Sequence, residues 1–512
     1  MSNNKTIAKN TLFLYFRMIL VMGVSLFTSR IVLQELGISD FGVYTVVGGF
    51  ISLFAFLNIA MSAATQRYLT FDIGKKDFKA LKKTFSATLT IHIGIAVLIL
   101  LLAETVGLWY VNNKMVIPTE RLVAANIVYQ FSIAASLLSI IQVPYNSLII
   151  AHEKMSVYAY VSILEVSLKL LIVFLLVFLG SDKLITYAIL TFVVSFIIRI
   201  IYQMYCRKNF PESKYSFQWD WVYYKELIAY SGWNLFGNLA VVAKVQGSNL
   251  LLNLFFGTAV NAAYGIMATV NSAVNNLVSN FQVATNPQII KSFASGENRT
   301  VEKLMNQATK FTYYLSLLLI APLILNIDFI LKLWLVNPPP HSAHFILIIL
   351  ICSLVDVLSK SIMTGITATG RIKTYHIVIG FFNSLIIPIA YILYKFEYST
   401  NPNLIMYIWL FFSVISFGFR LLFVKRLMDY DIKLFLAKVL IPVFRITIIA
   451  LLIGIGIKHL FQQINFSIFI IETFALCTLL GIIIFQFGME SNEKKLVLRA
   501  KDKIISKFIY KR

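Results

Sequence analysis

The sequence has few charged residues: they make up 13% of its 512 positions, whereas hydrophobic residues make up 59%. A water-soluble chain of this size could not cover its surface with so few charges. Apolar runs long enough to cross a bilayer recur from end to end. We therefore predict an all-α, polytopic membrane protein with about 14 transmembrane helices, taking about 20 apolar residues per crossing.

Residues that bind metals or form disulfides are also scarce. The three cysteines, Cys206, Cys352 and Cys477, lie far apart in or beside apolar segments, so a disulfide framework is not indicated. Of the six histidines, only His341 and His344 are close in sequence, in a loop without other ligand candidates. No glycine-lysine loop that would bind phosphate is present. We expect no metal, no cofactor and no ATP-driven step within this chain.

Acidic residues are outnumbered, 23 against 45 Lys and Arg, which gives a net charge of +22. The basic residues are scattered between apolar segments and do not form a soluble basic domain, so no nucleic-acid partner is expected. If the N-terminus is cytoplasmic, 31 of the 45 fall in cytoplasmic segments, 4 in external loops and 10 within spans. The positive-inside rule then predicts that both termini are cytoplasmic.

The predicted spans form two lobes of six, followed by two terminal spans. Residues 1–206 form the N-terminal lobe, 227–425 the C-terminal lobe, and 426–512 spans 13 and 14 with a basic tail. The basic and aromatic stretch 207–226, called the elbow below, is predicted to lie at the cytoplasmic headgroups. The spans are 11–33, 40–66, 84–108, 122–150, 157–180, 184–205, 227–254, 258–286, 310–335, 343–366, 374–395, 403–425, 439–461 and 467–488.

An internal repeat supports this division. A gapless offset of 220 positions superposes Gly37 on Gly257 and Tyr44 on Tyr264, and it also aligns two hydrophobic spans and the polar loops after them. Repeats of this kind are typical of transporters. Since an even number of spans separates the copies, we expect them to have the same orientation in the membrane.

Span 8 carries an amide-rich stripe that lipid cannot face. The residues Tyr264, Asn271, Asn275, Gln282 and Asn286 fall within about 60° of one helical face. An unpaired amide in a membrane is unfavourable, so the stripe must face protein or water. One interpretation is a hydrogen-bonded seam between helices, and the other is the wall of a cavity. The length of the stripe favours the cavity.

Span 7 adds a second polar face and a cation. Asn234, Asn238 and Asn249 share one side of this helix, and Lys244 lies beside them with no acidic residue within a turn. In span 1, Arg17 and Arg30 are further intramembrane cations. Because uncompensated charge within the spans is positive, the sequence favours an anionic cargo. We predict that these residues of spans 1 and 7 contact the cargo, together with the span 8 amides Asn271, Asn275, Gln282 and Asn286.

Two acid-before-base pairs also lie within spans, Glu165 with Lys169 and Asp356 with Lys360. At a spacing of i, i+4 each pair can neutralise itself on one helix. The alternative is a role in gating or ion coupling. Both interpretations stay open at the level of the sequence.

Three segments carry a family resemblance: KNTLFLYFRM, TSRIVLQELGISDFGVYTVVGG and SAATQRYLTFDIGKKD, which includes Gln66. They resemble bacterial polysaccharide flippases of the multidrug/oligosaccharidyl-lipid/polysaccharide exporter (MOP) superfamily. The resemblance covers nearly the whole chain. It implies a V-shaped, alternating-access transporter with a cavity lined partly by spans 1, 2, 7 and 8, and Gln66 is added to the predicted cargo-binding residues.

The resemblance also implies the cargo and the setting. The expected cargo is an undecaprenyl-pyrophosphate-linked oligosaccharide, moved to the periplasmic leaflet of the bacterial inner membrane for O-antigen, capsule or exopolysaccharide assembly. Membrane lipids are expected partners, while a coupling ion, the membrane potential and other polysaccharide-assembly proteins stay open. The alternatives are another transporter of the superfamily, for peptidoglycan precursor or drugs, and a membrane-embedded glycosyltransferase or polymerase. Short loops leave no room for a catalytic domain, so we expect no enzyme.

Overall fold

The computed structural model describes residues 2–152, 154–178, 182–217, 220–371, 373–460, 465–491 and 493–495. Side chains are described from residue 20 onward, except at 55–57, 59–60, 63, 74, 229–237, 277, 280–284, 287, 291 and 294. The described residues form helices joined by short connections, without a strand among them. The prediction of an all-α membrane protein is confirmed.

Seventeen α-helices follow one another along the described chain. They are α1 (Ser2–Ser52), α2 (Ala55–Lys75), α3 (Phe78–Leu102), α4 (Leu108–Asn113), α5 (Leu122–Ala151), α6 (Met155–Phe178), α7 (Lys183–Asn209), α8 (Trp221–Phe256), α9 (Thr258–Ala294), α10 (Asn298–Leu325), α11 (Ile327–Leu335), α12 (Ser342–Ala368), α13 (Lys373–Lys395), α14 (Leu404–Met428), α15 (Ile432–Phe435), α16 (Ile441–Leu460) and α17 (Phe466–Ile483). Several begin with an acidic or amide side chain that accepts backbone N–H groups, as Asp182 does for α7 and Asp220 for α8.

Twelve helical segments of the described chain are long and apolar enough to cross a membrane. Many large apolar side chains on them are exposed, such as Phe178 and Phe474, as lipid-facing positions require. The predicted spans 2 and 8 are not counted separately among the twelve: span 2 follows Gly37 within α1 and continues in α2, and span 8 is α9. The amides of α9 make it less apolar. The number of fourteen crossings stays a prediction.

Contacts along the chain define two compact units. Unit 1 comprises Met1–Ala273, Trp334–Phe345 and His376–Phe412, and unit 2 comprises Val274–Leu333, Ile346–Tyr375 and Ser413–Arg512. Their boundaries differ from those of the predicted lobes because unit 1 also includes α8 and the first part of α9. The division into lobes of six spans stays a prediction.

Unit 1 has an apolar core between α2, α3, α5, α6 and α7, with Phe85, Tyr145 and Leu148 fully or almost fully buried. The elbow is hydrogen-bonded to this core. Lys83 of α3 donates to Asp220 at 2.6 Å, and His152 lies 2.6 Å from Glu212. The hydrogen bond from Lys83 holds the pKa of Asp220 below its usual value. Headgroup contact by the elbow stays a prediction.

In unit 2, α10 packs against α16 and α17. Lys310 of α10 and Glu493, beyond the end of α17, form an ion pair at 2.6 Å whose side chains are only 3% and 4% exposed. At the other end of α10, Asn326 donates to the buried Glu472 at 3.1 Å. These contacts attach the predicted spans 13 and 14 to the helix of span 9. The tail beyond residue 495 lies outside the described residues.

Candidate binding cavity

The two glycines paired by the repeat have the same backbone conformation. Gly37 has φ 74° and ψ 171°, and Gly257 has φ 76° and ψ −172°. Residues with a Cβ rarely adopt this conformation, so each glycine allows the chain to turn between two helices. At Gly37 no atom lies within 4 Å of an added Cβ, so glycine is required there by the backbone angle and not by crowding. The predicted pairing therefore marks two equivalent corners, and we call the nearby ends of the helices the Gly37 end.

A cavity of about 520 Å³ lies within unit 1, starting roughly one helical turn from the Gly37 end. This volume is within the range of about 300–1,000 Å³ that pockets for small molecules usually have. Six stretches of α1, α6, α7, α8 and α9 contribute lining residues: 21–32, 41–52, 166–172, 187–191, 245–249 and 264–269. The predicted spans 1, 2, 7 and 8 therefore line it, and spans 5 and 6 do so as well.

Glycines on two of these helices leave room for polar side chains opposite them. A Cβ on Gly49 would come within 2.4 Å of the Asn249 amide nitrogen and 2.8 Å of the Gln246 amide oxygen. A Cβ on Gly265 would come within 2.8 Å of the Thr45 hydroxyl. Since real Cβ atoms do not approach so closely, larger residues at these two positions would displace the polar wall.

The charge in the described lining belongs to Lys169, and it is compensated. Its ammonium lies 2.6 Å from the Glu165 carboxylate, one helical turn earlier on α6. The predicted i, i+4 ion pair therefore forms. Next to it, the ring of Tyr44 meets the ring of Tyr187 edge-on, with the ring centroids 4.9 Å apart. The described part of the wall presents hydroxyls, amides and aromatic rings, with little net charge.

At the Gly37 end, a layer of ion pairs and amides joins the helices of unit 1. We call it the Gly37-end layer; it consists of Glu35, Asp40, Val116, Arg121, Asp182, Lys183, Asn253 and Asn261. Arg121 bridges Asp40 at 2.5 Å and Asp182 at 2.6 Å. Lys183 reaches Glu35 at 2.7 Å, and the Asn253 amide binds both the backbone of Val116 and the side chain of Asn261.

Hydrogen bonds from Arg121 hold the pKa of Asp182 below its usual value. A carboxylate with a lowered pKa stabilises the folded state above its unfolded pKa. That contribution is lost only as the pH falls through the lowered value. The ion pair of Asp182 with Arg121 is therefore complete at neutral pH.

The structure brings only part of the predicted site together. Asn249 and Lys169 line the cavity, and Asn249 also donates to the Thr45 carbonyl at 3.1 Å. Arg30, Asn238 and Asn271 are half-buried but are not among the described lining residues, and Gln66 is exposed. The side chains of Arg17, Asn234 and Gln282 lie outside the described part of the chain.

Lys244 lies outside the cavity lining as well. Its ammonium is 4.3 Å from the ring centroid of Trp409, a buried residue whose indole N–H donates to Ser248 at 3.0 Å. Ser248 in turn donates to the Lys244 carbonyl. An aromatic face attracts a cation and holds it in place. The sequence contains no acidic partner within a turn, and the aromatic partner comes from a distant helix.

The remaining predicted residues belong to unit 2 and form a seam between helices. Lys360 of α12 donates to the Asn275 amide oxygen at 3.4 Å, and the Thr364 hydroxyl donates to Asn286 at 2.9 Å. At these positions the amide stripe matches the hydrogen-bonded-seam interpretation, while at Tyr264 it borders the cavity. The stripe is therefore divided between two environments.

The predicted pair of Asp356 with Lys360 is not the ion pair that the structure contains. Among the described residues, Asp356 lies 3.7 Å from Arg420, whose guanidinium also donates to Ser359 at 2.6 Å. Arg420 reaches both groups from α14, and Lys360 is left to bind the amide of Asn275. Spacing on one helix therefore does not determine the ion-pair partner of a carboxylate when a neighbouring helix provides a longer side chain.

Sequence reasoning missed several lining residues, among them Tyr187, Gln246 and Thr28. Thr28 is notable because its buried hydroxyl has no hydrogen-bond partner among the described residues. Hydroxyl residues are frequent on helices of this composition, so single serines and threonines gave no signal. Their significance appears only when several helices place them around one space.

A sequence profile described as polysaccharide biosynthesis protein matches residues 7–293, more than half of the chain. The chain belongs to the polysaccharide biosynthesis protein family. The matched region contains all six stretches that line the cavity. The cavity is therefore formed entirely within the part of the chain that carries the family signature. A search of curated proteins found no match.

Solved transporter structures show the same fold as this family member. Lipid II flippase MurJ, in an inward closed conformation, matches with a TM-score of 0.65 at 13% identity, over 94% of this chain and 99% of that one. An inward-facing multidrug resistance MATE transporter of the MOP superfamily matches with a TM-score of 0.64 at 12% identity, over 80% and 96%.

A MOP superfamily transporter from Pyrococcus furiosus, described as having a binding pocket of reverse polarity, matches with a TM-score of 0.58 at 14% identity, over 82% and 96%. At these identities the likeness shows the fold. The chain is thus a multi-pass membrane protein of the polysaccharide biosynthesis protein family with the fold of these transporters.

Proposed function

We propose that this protein is a flippase for undecaprenyl-pyrophosphate-linked oligosaccharide. The observation that carries the proposal is the cavity of about 520 Å³ walled by hydroxyls and amides, in a member of a family described by polysaccharide biosynthesis. A glycan must exchange its hydrogen bonds with water for equivalent bonds to the protein when it enters a membrane. The wall supplies such groups, while a polyprenyl tail can stay in lipid.

The proposed cycle alternates the side from which the cavity is reached. The cargo moves from the cytoplasmic to the periplasmic leaflet of the bacterial inner membrane, with both termini of the protein cytoplasmic. In this scheme the Gly37-end layer is the periplasmic closure, and its ion pairs must separate for release. The product serves O-antigen, capsule or exopolysaccharide assembly.

Pyrophosphate requires cations, and Arg17, Arg30 and Lys244 are the residues proposed for it. Moving one negative charge out of a cell with a negative interior is favoured by about 2.3 kcal/mol per 100 mV. The membrane potential alone can therefore bias export of an anionic lipid carrier. Glu165, Lys169, Asp356 and Lys360 are the proposed groups if an ion is coupled to transport.

Deletion of the gene tests the proposal. Cells without the protein should accumulate a lipid-linked glycan that stays inaccessible to reagents added from outside, and a plasmid copy should restore its export. Accumulation of peptidoglycan precursor would instead assign the protein to the other flippase class. Loss of drug export without any accumulated lipid-linked sugar would indicate an antiporter.

A further inference from the structure

The described wall of the cavity offers no net charge to a ligand. Lys169 is its charged residue, and Glu165 neutralises it at 2.6 Å. A phosphate or carboxylate brought out of water needs a cation or several N–H donors to replace its hydration. The ion pair of α6 already satisfies its own cation, so an anionic group would compete with Glu165 for it.

The direction of the hydrogen bonds in the wall also disfavours an anionic ligand. Four lining hydroxyl groups donate their hydrogen to backbone carbonyls at 2.6–3.0 Å: those of Ser29, Ser52, Tyr264 and Thr269. Each of these groups can offer a ligand only the lone pairs of its oxygen. A phosphate, which accepts and does not donate, gains nothing from them. A sugar hydroxyl gains a bond at each one.

Two further features suit a sugar ring. The amide of Gln246 both donates and accepts, and the hydroxyl of Thr28 is buried without a partner among the described residues. The edge-on pair of Tyr44 and Tyr187 presents aromatic surface beside these polar groups. Sugars combine hydroxyl groups with apolar C–H faces, so polar and aromatic groups are needed side by side.

We propose that the cavity binds the glycan head of the cargo and that this head is uncharged, made of neutral hexoses, deoxyhexoses or N-acetylated sugars without uronic acid or phosphate substituents. The inference rests on the proposed function. It divides the cargo in two: the neutral sugars occupy the cavity, and the pyrophosphate is held elsewhere. The Glu165–Lys169 pair then acts as a neutral hydrogen-bonding element of the wall.

The first test identifies the glycan. Lipid-linked sugars are extracted from cells that lack the protein, released by mild acid and analysed by mass spectrometry and charge-based separation. A neutral oligosaccharide is expected. An accumulated glycan that carries a uronate, another sugar acid or a phosphate would overturn the inference and leave the flippase proposal intact. If no lipid-linked glycan accumulates, both fail.

The second test concerns the ion pair and measures export per molecule of protein in the membrane. The doubly neutral variant Glu165→Gln/Lys169→Gln should export clearly more than the single variant Lys169→Gln, because amides of similar length preserve hydrogen bonding without charge. Lys169→Gln alone should lower export, since it leaves the half-buried Glu165 carboxylate without its partner and makes this part of the wall negative.

The exchanged pair Glu165→Lys/Lys169→Glu serves where the doubly neutral variant is not recovered in the membrane. It preserves neutrality while moving the cation by one helical turn. If the head is uncharged, export should again clearly exceed that of Lys169→Gln alone, because the pair stays neutral. If export needs a cation at position 169 and fails in both double variants at normal abundance, the cavity binds an anion and the inference is wrong.

Discussion

Some polar side chains of unit 1 surround a cavity, whereas Asn275 and Asn286 of unit 2 bind partners on a neighbouring helix. Both regions use asparagine, threonine and lysine, so residue type does not set the difference. Opposite Asn249 and Gln246 stands Gly49, which lets their amides pack closely against the backbone of α1, beside the cavity. Opposite Asn275 and Asn286 stand Lys360 and Thr364, whose side chains bond to them. A polar stripe forms a seam where the facing helix carries long polar side chains, whereas a small facing residue leaves its amides beside the cavity.

Filling the cavity should have the largest effect on transport. Gly48 lines it, and no atom of the described residues lies within 4 Å of a Cβ added there. We expect Gly48→Leu to fold normally, because leucine favours helices over glycine by roughly 0.5–1 kcal/mol. Its side chain should occupy space that the glycan needs and lower export by at least about tenfold, the factor that 1.4 kcal/mol represents.

Gly23→Leu is the matched control for that variant. Gly23 lies on the helical segment before Gly37, whereas Gly48 lies on the segment after it; Gly23 also has open space around an added Cβ among the described residues, but it is outside the cavity lining. Export per molecule should stay near wild type in Gly23→Leu. If both variants lost export equally, or neither lost any, the cavity wall at Gly48 would not differ in function from the surface at Gly23.

The largest effect on stability is expected in unit 2. Lys310→Met leaves the buried Glu493 without its partner, a change that typically destabilises a protein by about 3–5 kcal/mol. The double variant Lys310→Met/Glu493→Gln removes both charges and should recover most of the loss. Thermal unfolding in detergent and the amount of protein in the membrane measure this. If Lys310→Met kept its stability but lost export, the ion pair would belong to the transport mechanism.

Lys244 lies outside the cavity lining, and its variants test whether it contacts the cargo or only supports the structure. As a cargo contact, it should tolerate truncation: Lys244→Ala is expected to reach near-normal abundance and lose export several-fold, while Lys244→Arg keeps part of it because the charge survives. The contact with Trp409 supports the side chain by about 0.5–2 kcal/mol. A fall in abundance with normal export per molecule would make Lys244 a structural residue.

Much of the fold was predictable from the sequence because membrane helices are long apolar segments and because glycine can adopt backbone angles that other residues rarely adopt. Gly37 and Gly257 were paired by the repeat, and the structure gives them matching angles. The cavity itself was predicted only in part. Asn249 stood out as an amide within an apolar helix, whereas Tyr187 and Thr28 did not, because nothing in the sequence indicates that α6 and α7 approach α1.

The sequence also did not reveal which side chains on different helices bind one another. An ion pair within one helix can be proposed from spacing, and Glu165 with Lys169 follows it. The same spacing failed for Asp356 because Arg420 approaches from a helix about sixty residues later in the chain. In the sequence, Lys244 has no acidic residue within a turn, but its ammonium lies over an aromatic ring on a distant helix. Tertiary contacts of this kind leave no periodic trace in the sequence.

The smallest effect is expected at Thr364, where a variant tests whether Asn286 belongs to the seam or contacts the cargo. Thr364→Val removes the hydroxyl that donates to Asn286 while keeping the shape of the side chain. Hydrogen bonds between membrane helices contribute about 0.6 kcal/mol on average and at most about 1.7 kcal/mol, so a slight loss of thermal stability is expected. Thr367→Val is the control, because the exposed Thr367 bonds only to the backbone of its own helix. Export per molecule should be unchanged in both variants if Asn286 serves the seam. A drop in export for Thr364→Val alone, with abundance and stability near wild type, would mean that Asn286 contacts the cargo.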